Sequence, residues 1–247
     1  MTQIVDAMAE VRVEEGEFVV RQGEKATAFY IVGRGSYEFY VHEDDDVEAS
    51  NGIGNFVDHI DGKGYFGEYD LIAMKSQSMT VIALTNGFLW SMDRISFRRV
   101  VAWKRRMFAD VMHRSSLLDA LDEMEKLLLC TALLRRVFDD GHLIIHQGDV
   151  PGPSDGMYFI ESGEAKVTIF VDDGKAETEV ARLGVGKYFG EMALLKRNPR
   201  SANVYAAGPM KTAFLEQDAF EGHLSPWLDI LNQKTKSYKI SPPDGRG

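Results

Sequence analysis

Runs that alternate apolar and polar residues recur along most of the chain. Tyr37-Glu-Phe-Tyr-Val41 and Ala165-Lys-Val-Thr-Ile-Phe-Val171 are the clearest. Runs of this kind, bounded by Gly or Asp about every ten residues, predict many short antiparallel strands that close into a roll or barrel. From about 96 to 136 the period changes. Phe97, Val100, Val101, Met107, Met112, Leu117, Leu118, Leu121 and Leu128 fall on a helical spacing with almost no Gly or Pro, which predicts a helical connector. A last helix is expected from Ser225-Pro-Trp through Tyr238, because proline suits a first helical turn. Residues 241–247 read as a frayed end.

The pattern before the connector returns after it. Gly141-His-Leu-Ile-Ile-His-Gln-Gly148 repeats Gly16-Glu-Phe-Val-Val-Arg-Gln-Gly23 at an offset of 125, Tyr158 to Gly163 repeats Tyr30 to Gly35 at 128, and Tyr188-Phe-Gly-Glu191 repeats Tyr65-Phe-Gly-Glu68 at 123. The rise in offset marks extra residues around Pro151-Gly-Pro-Ser-Asp-Gly156 in the second copy. The later fall marks extra residues in the first, in the Asp/Glu/Asn/Gly-rich stretch 43–55, which reads as an exposed hairpin loop. Two copies of one domain lie in tandem, expected at 1–110 and 111–247.

Composition narrows the class. With 45% apolar residues over 247 positions the chain is a folded globular protein, and its length suits one or two domains. No apolar run is long enough to span a bilayer, and Met1-Thr-Gln-Ile-Val-Asp lacks a signal pattern, so a soluble cytoplasmic protein without a membrane partner is expected. A net charge of −10 disfavours nucleic acid, so any anion must be held locally. The lone Cys130, in an apolar helical run, reads as a small core residue. No metal-ligand cluster, nucleophile–base pattern or nucleotide-hydrolysing loop is visible, so the chain is not read as an enzyme, and no cofactor is expected.

The densest candidate chemistry lies between 186 and 206. Arg200 has a planar fork of donors suited to two phosphate oxygens, and small residues around it let backbone N–H groups approach the same anion. Glu191 accepts hydroxyl hydrogen bonds and suits a sugar edge. The run Glu191-Met-Ala-Leu-Leu195 has room for one helical turn with free N–H groups. Together they describe a site for a phosphorylated ribose.

These residues resemble the phosphate-binding cassette of the cyclic-nucleotide-binding domain family, Phe-Gly-Glu-x-Ala-Leu followed by Pro-Arg-x-Ala. The matches are Phe189, Gly190, Glu191, Ala193, Leu194, Pro199, Arg200 and Ala202. The tandem copies, connector and tail are similar over nearly the whole chain to the regulatory subunit of cAMP-dependent protein kinase. The resemblance implies a mainly β fold with flanking helices: two cyclic-nucleotide-binding β-roll (jelly-roll) domains joined by a helical connector. It also implies a cAMP sensor that controls a kinase catalytic subunit allosterically. Glu191 would hold the ribose 2′-OH and Arg200 the exocyclic phosphate oxygens. Gly190, Met192, Ala193, Ser201 and Ala202 would line the cradle, with Ala193 and Ala202 offering backbone N–H groups, and Tyr238 would cap the purine.

Several positions depart from the family pattern. Ser201 stands where cAMP-selective kinase subunits usually carry Ala, and a hydroxyl there suits the guanine amino group, so cGMP stays open as ligand. In the first copy the arginine position holds Gln77, the first small residue is Asp70, and the aromatic cap position is Met124. Loss of a guanidinium partner to a desolvated phosphate costs on the order of 2 to 5 kcal/mol, roughly thirty-fold or more in affinity. Glu68 survives. An empty structural domain is the preferred reading, and a nucleoside held through Glu68 is the other. Val5 to Met8 resembles the last helix before the first strand, so the family's docking helices and inhibitory Arg-Arg segment are not found ahead of it. The chain then reads either as a fragment of a longer subunit or as a binder that does not inhibit by that route. The alternatives for function are the regulatory half of a cGMP-dependent kinase and a nucleoside-responsive kinase regulator.

Overall fold

The computed structural model describes residues 7–42, 53–152, 155–171, 176–192, 198–217 and 219. The chain divides into two compact units, Met1–Lys104 and Arg105–Gly247.

The first unit contains β1 (Met8–Val13), β2 (Phe18–Val20), β3 (Ala28–Arg34), β4 (Ser36–Val41), β5 (Asn55–Asp61), β6 (Tyr65–Phe66), β7 (Thr80–Ala83) and β8 (Gly87–Asp93). They form two four-stranded antiparallel sheets, β1-β8-β3-β6 and β2-β7-β4-β5. The second unit contains β9 (Leu134–Phe138), β10 (Leu143–Ile145), β11 (Gly156–Ser162), β12 (Ala165–Val171), β13 (Ala176–Leu183), β14 (Tyr188–Phe189), β15 (Asn203–Ala206) and β16 (Met210–Glu216). Its sheets, β9-β16-β11-β14 and β10-β15-β12-β13, repeat the first unit's order with every strand advanced by eight. Even the irregularities recur: the register shifts between Phe39 and Tyr40 in β4 and between Val167 and Thr168 in β12.

Alternation explains which side chains fill each roll. In β4, Tyr37 and Phe39 turn inward and are buried with Phe66, Val81 and Leu89, while Glu38 and Tyr40 are less enclosed. The strand β11 is buried on both faces. Ile160 joins the interior of the roll with Phe189 and Val204. Met157 and Phe159 face the opposite way and pack against Phe108, Leu117, Leu129 and Leu133 of the helical segment. The sheet thus supports a second apolar layer, and Cys130 lies buried within it.

The connector is helical but broken into α2 (Arg94–Met107), α3 (Ala109–Arg114), a 3-10 turn at Leu118–Ala120, and α4 (Glu123–Ala132); a short helix, α1 (Glu68–Ala73), precedes it in the first unit. Absence of Gly and Pro does not keep it continuous. Ser115 leaves the helix in an extended conformation, and Asp122 starts the next one through a capping box with Glu125. The connector also ends sooner than its apolar spacing predicts, because Leu134, Arg135 and Arg136 pair with β16 as strand β9. Likewise Met8, expected to close a helix, opens β1, paired with Met92. The expected tail helix to Tyr238 and most of the 43–55 loop lie outside the described residues.

Phe159 is 1% exposed in the layer between sheet and helices. Phe159→Ala is expected to destabilise the second unit by about 3–5 kcal/mol, read from the urea dependence of amide exchange in peptides covering 156–162.

Candidate functional site

The site is built on a backbone ladder that both units share. In the second unit the Gly148 N–H donates to the Arg200 carbonyl at 2.8 Å, and the Arg200 N–H donates to the Asp149 carbonyl at 2.8 Å. In the first, the Gly23 N–H donates to Gln77 at 2.9 Å and the Gln77 N–H donates to Glu24 at 2.7 Å. Gln77 and Arg200 therefore occupy the same place on the same backbone. A glutamine beside each ladder pins it to the neighbouring strand. The Gln22 amide exchanges hydrogen bonds with the His42 backbone at 2.8 and 2.9 Å, and the Gln147 Oε1 accepts from the Phe170 N–H at 2.7 Å.

Arg200 is buried, with its side chain 7% exposed. Its Nη2 donates to Asp155 Oδ1 at 2.8 Å and its Nη1 donates to the Gly190 carbonyl at 3.1 Å. The other Asp155 oxygen accepts from the Gly152 N–H at 2.7 Å. Burial alone would raise the Asp155 pKa, but the Gly152 N–H and the Arg200 guanidinium outweigh it and hold the carboxyl below its ordinary range. The remaining Arg200 N–H groups have no partner among the described residues. Arg200 also lines a cleft of about 320 Å³ with Ile144, Ile145, Val150 and Asp155. A desolvated guanidinium held on one side by a carboxylate, with unspent donors on the other, can take a further anion in a bidentate manner.

The elements around it are fixed by close approach. Gly190 has φ +84°, and a Cβ there would lie 2.9 Å from the Gly156 carbonyl and 3.4 Å from Arg200 Nη1, so the turn that carries Glu191 has room only for glycine. Beneath it the rings of Tyr158 and Phe189 stack at 5.0 Å, as those of Tyr30 and Phe66 do at 5.1 Å in the first unit. Glu191 and Met192 are helical and half-buried. Burial raises the Glu191 pKa, against a hydrogen bond from its own backbone and the charge of Arg200. Ser201 is exposed and Ala202 half-buried. Ala193 and Tyr238 lie outside the described residues.

In the first unit the polarity is reversed. Gly67, with φ +91°, leads into α1, which carries Glu68 and Asp70, both buried. Asp70 Oδ2 accepts from the Ser78 N–H at 2.9 Å and the Ser78 hydroxyl at 3.1 Å, while Oδ1 is buried without a hydrogen-bond partner. Gln77 is 5% exposed. The counterpart of Asp155 is Thr27: the Arg94 N–H donates to the Thr27 carbonyl as the Gln217 N–H does to that of Asp155, at 2.9 and 2.8 Å. The carboxylate–guanidinium pair is thus missing from the first unit as a pair. Met124, at the position expected for an aromatic cap, is half-buried on α4.

Asp155 and Ser78 are functional candidates that the sequence did not single out. Asp155 follows the extra residues of the second copy, and its repeat partner is the neutral Thr27, so neither the repeat nor its distance of forty-five residues from Arg200 draws attention to it. Among the described residues, no group of three His, Cys, Asp or Glu side chains is placed to hold a metal ion.

The second unit is a β-roll with a buried arginine beside a glycine–glutamate turn, and the first repeats the roll with glutamine in the arginine's place. The cyclic nucleotide-binding domain model matches residues 10–102 and 135–225, and the chain belongs to that family. It is 38% identical over 244 residues, 97% of its length, to the cAMP-dependent protein kinase type II regulatory subunit of Drosophila melanogaster, of which it covers 60%. It is 36% identical over 98% of its length to the cAMP-dependent protein kinase regulatory subunit of Blastocladiella emersonii, of which it covers 58%. The chain therefore spans about three fifths of the length of these relatives. The regulatory domain of Toxoplasma gondii PKA, solved with cAMP, aligns with a TM-score of 0.71 at 29% identity, covering 96% of this chain and 88% of that one.

Burial raises the Glu68 pKa to about 7, with the Asp70 charge adding to the effect and a hydrogen bond from its own backbone opposing it. The folded state then holds a proton more tightly than the unfolded chain, so the stability contributed is full below the ordinary value of 4.5 and is lost as pH rises through about 7. Glu68→Gln is expected to remove this decline, roughly 3 kcal/mol at most, from the first unit. The check is the pH dependence of opening free energies from amide exchange in peptides covering 65–73, with a slope unchanged by the substitution counting against it.

Proposed function

We propose that the chain is the cAMP-sensing regulatory part of a protein kinase, binding one cyclic nucleotide in its second domain. The observation that carries this reading is the buried Arg200, held by Asp155 and Gly190 with donors to spare, on a family whose relatives include cAMP-dependent kinase regulatory subunits. In this reading Arg200 takes the two exocyclic phosphate oxygens, and the backbone N–H groups of Ala193 and Ala202 complete the cradle. Glu191 accepts from the ribose 2′-OH, Gly190 and Met192 shape the turn, Ser201 adds a donor at the rim, and Tyr238 stacks on the purine. The Toxoplasma gondii domain solved with cAMP supports that choice of ligand. The exposed Ser201 hydroxyl keeps cGMP as the competitor to be tested.

The route from ligand to partner follows from packing. Asp155 stands at the start of β11, whose Met157 and Phe159 carry the helical layer of Phe108, Leu117, Leu129 and Leu133. A phosphate on Arg200 alters the balance of charge on Asp155 and so the seating of β11 under those helices. The two seatings differ in affinity for cAMP, which is what allows ligand to shift their populations. The surface so altered would face a kinase catalytic subunit in the cytoplasm, with the chain acting as regulator and not as catalyst.

Calorimetry with cAMP is expected to give one molecule per chain. Arg200→Ala is expected to weaken binding roughly thirty-fold or more and Arg200→Lys by less, because a point charge replaces a bidentate fork. Unchanged affinity in Arg200→Ala would overturn the assignment, and two equal sites in the unsubstituted chain would overturn the silence of the first domain. Competition by cGMP measures what Ser201 contributes to selectivity.

A further inference from the structure

Ser78 and Ser201 follow Gln77 and Arg200 directly on equivalent backbones, yet their donors have opposite fates. Ser201 is exposed, and its N–H and hydroxyl have no partner among the described residues. Both Ser78 donors are taken by one oxygen of Asp70, at 2.9 and 3.1 Å. Asp70 is itself 3% exposed. It belongs to α1, so its contact to Ser78 closes the arm between that helix and β7 from the inside. The arm's other end is held to the preceding turn by the Gln77 ladder and by the bridge from Lys25 to Ser76.

We propose that Asp70 is the first domain's internal ligand: a carboxylate of the chain itself that occupies the donors of Ser78, whose counterparts on Ser201 stay open at the phosphate cradle of the second domain. The first domain is thereby held in its closed arrangement without any nucleotide, and phosphate is refused by charge as well as by the lack of an arginine. Three features fit together under this reading. The guanidinium is dispensable at position 77 because the anion is covalently tethered and one of its oxygens is already held by two hydrogen bonds from Ser78. The Asp155 counterpart, Thr27, needs no acid because there is no guanidinium to orient. Glu68 remains buried beside Asp70, since no sugar is required to keep the turn filled. The proposal rests on the reading of the Arg200–Ser201 turn as a phosphate cradle.

The test is amide exchange, by mass spectrometry, of peptides covering 76–83 in the full chain. In the unsubstituted protein this segment is expected to be protected equally with and without cAMP, and equally in sodium sulfate and in sodium chloride of matched ionic strength. Asp70→Ala is expected to speed exchange at Ser78 by about ten-fold or more, and sulfate, but not chloride, to recover at least half of that protection by filling the vacated place. Asp70→Asn, which keeps the shape and one acceptor, is expected to fall between and serves if the alanine variant does not fold. Exchange unaltered by either substitution would overturn the proposal. So would acceleration that sulfate does not reverse, since a packing contact would behave in that way. Protection of 198–206 by cAMP in the same samples reports on the second domain independently, so failure of the phosphate-cradle reading and failure of the internal ligand give different results.

Discussion

The paired backbone bonds that join a turn glycine and the residue after it to position 77 or 200 are the constraint on which each domain depends. They tie the cassette's return arm to the turn before the second long strand, and they fix where one side chain enters the domain. Everything chemical is then a choice of that side chain and of the acid that answers it. The scaffold tolerates the exchange of arginine for glutamine because neither ladder bond involves a side chain. Two domains with one topology and one set of stacked rings can therefore differ completely in what they hold.

Electrostatics decides the difference. A buried guanidinium is costly unless it is paired, and Asp155 pairs it in the second domain while leaving part of its donor fork unspent among the described residues. The first domain has neither member of that pair. It buries two carboxylates instead, and one of them meets the hydroxyl and backbone N–H of Ser78. Substituting both members of an ion pair avoids the larger penalty of stranding one charge in a desolvated place. The same logic connects the site to the rest of the second unit. The residue that balances Arg200 stands at the head of the strand supporting the helical layer, so charge and packing meet on one element.

The strands and the repeat were legible in the sequence because alternation at Tyr37 and Phe39, and the recurring Gln-Gly turns at Gly23 and Gly148, are local signals. The family model and the relatives agree with the two tandem cyclic-nucleotide-binding domains read there. Element ends were less legible. Leu134 to Arg136 continue an apolar spacing that suits a helix, yet their partners are Phe214 to Thr212 in β16, far away in the chain, and only that pairing turns them into strand. Met8 is drawn into β1 by Met92 for the same reason. The break after Arg114 was hidden as well, since it is made by Ser115 and by the Asp122 cap, and neither involves the glycine or proline that ordinarily marks a stop.

The sequence by itself determined the fold class, the duplication and the arginine–glutamate cassette, because these depend on residue types at fixed, short spacings. The tertiary structure alone decided what partners that chemistry has. Asp155 lies forty-five residues from Arg200, and Ser78 reaches Asp70 only because a helical turn and the ladder bring both to one point. Pairing between charges is a matter of distance and burial. Neither is encoded in spacing along the chain once a sheet has folded the intervening residues away.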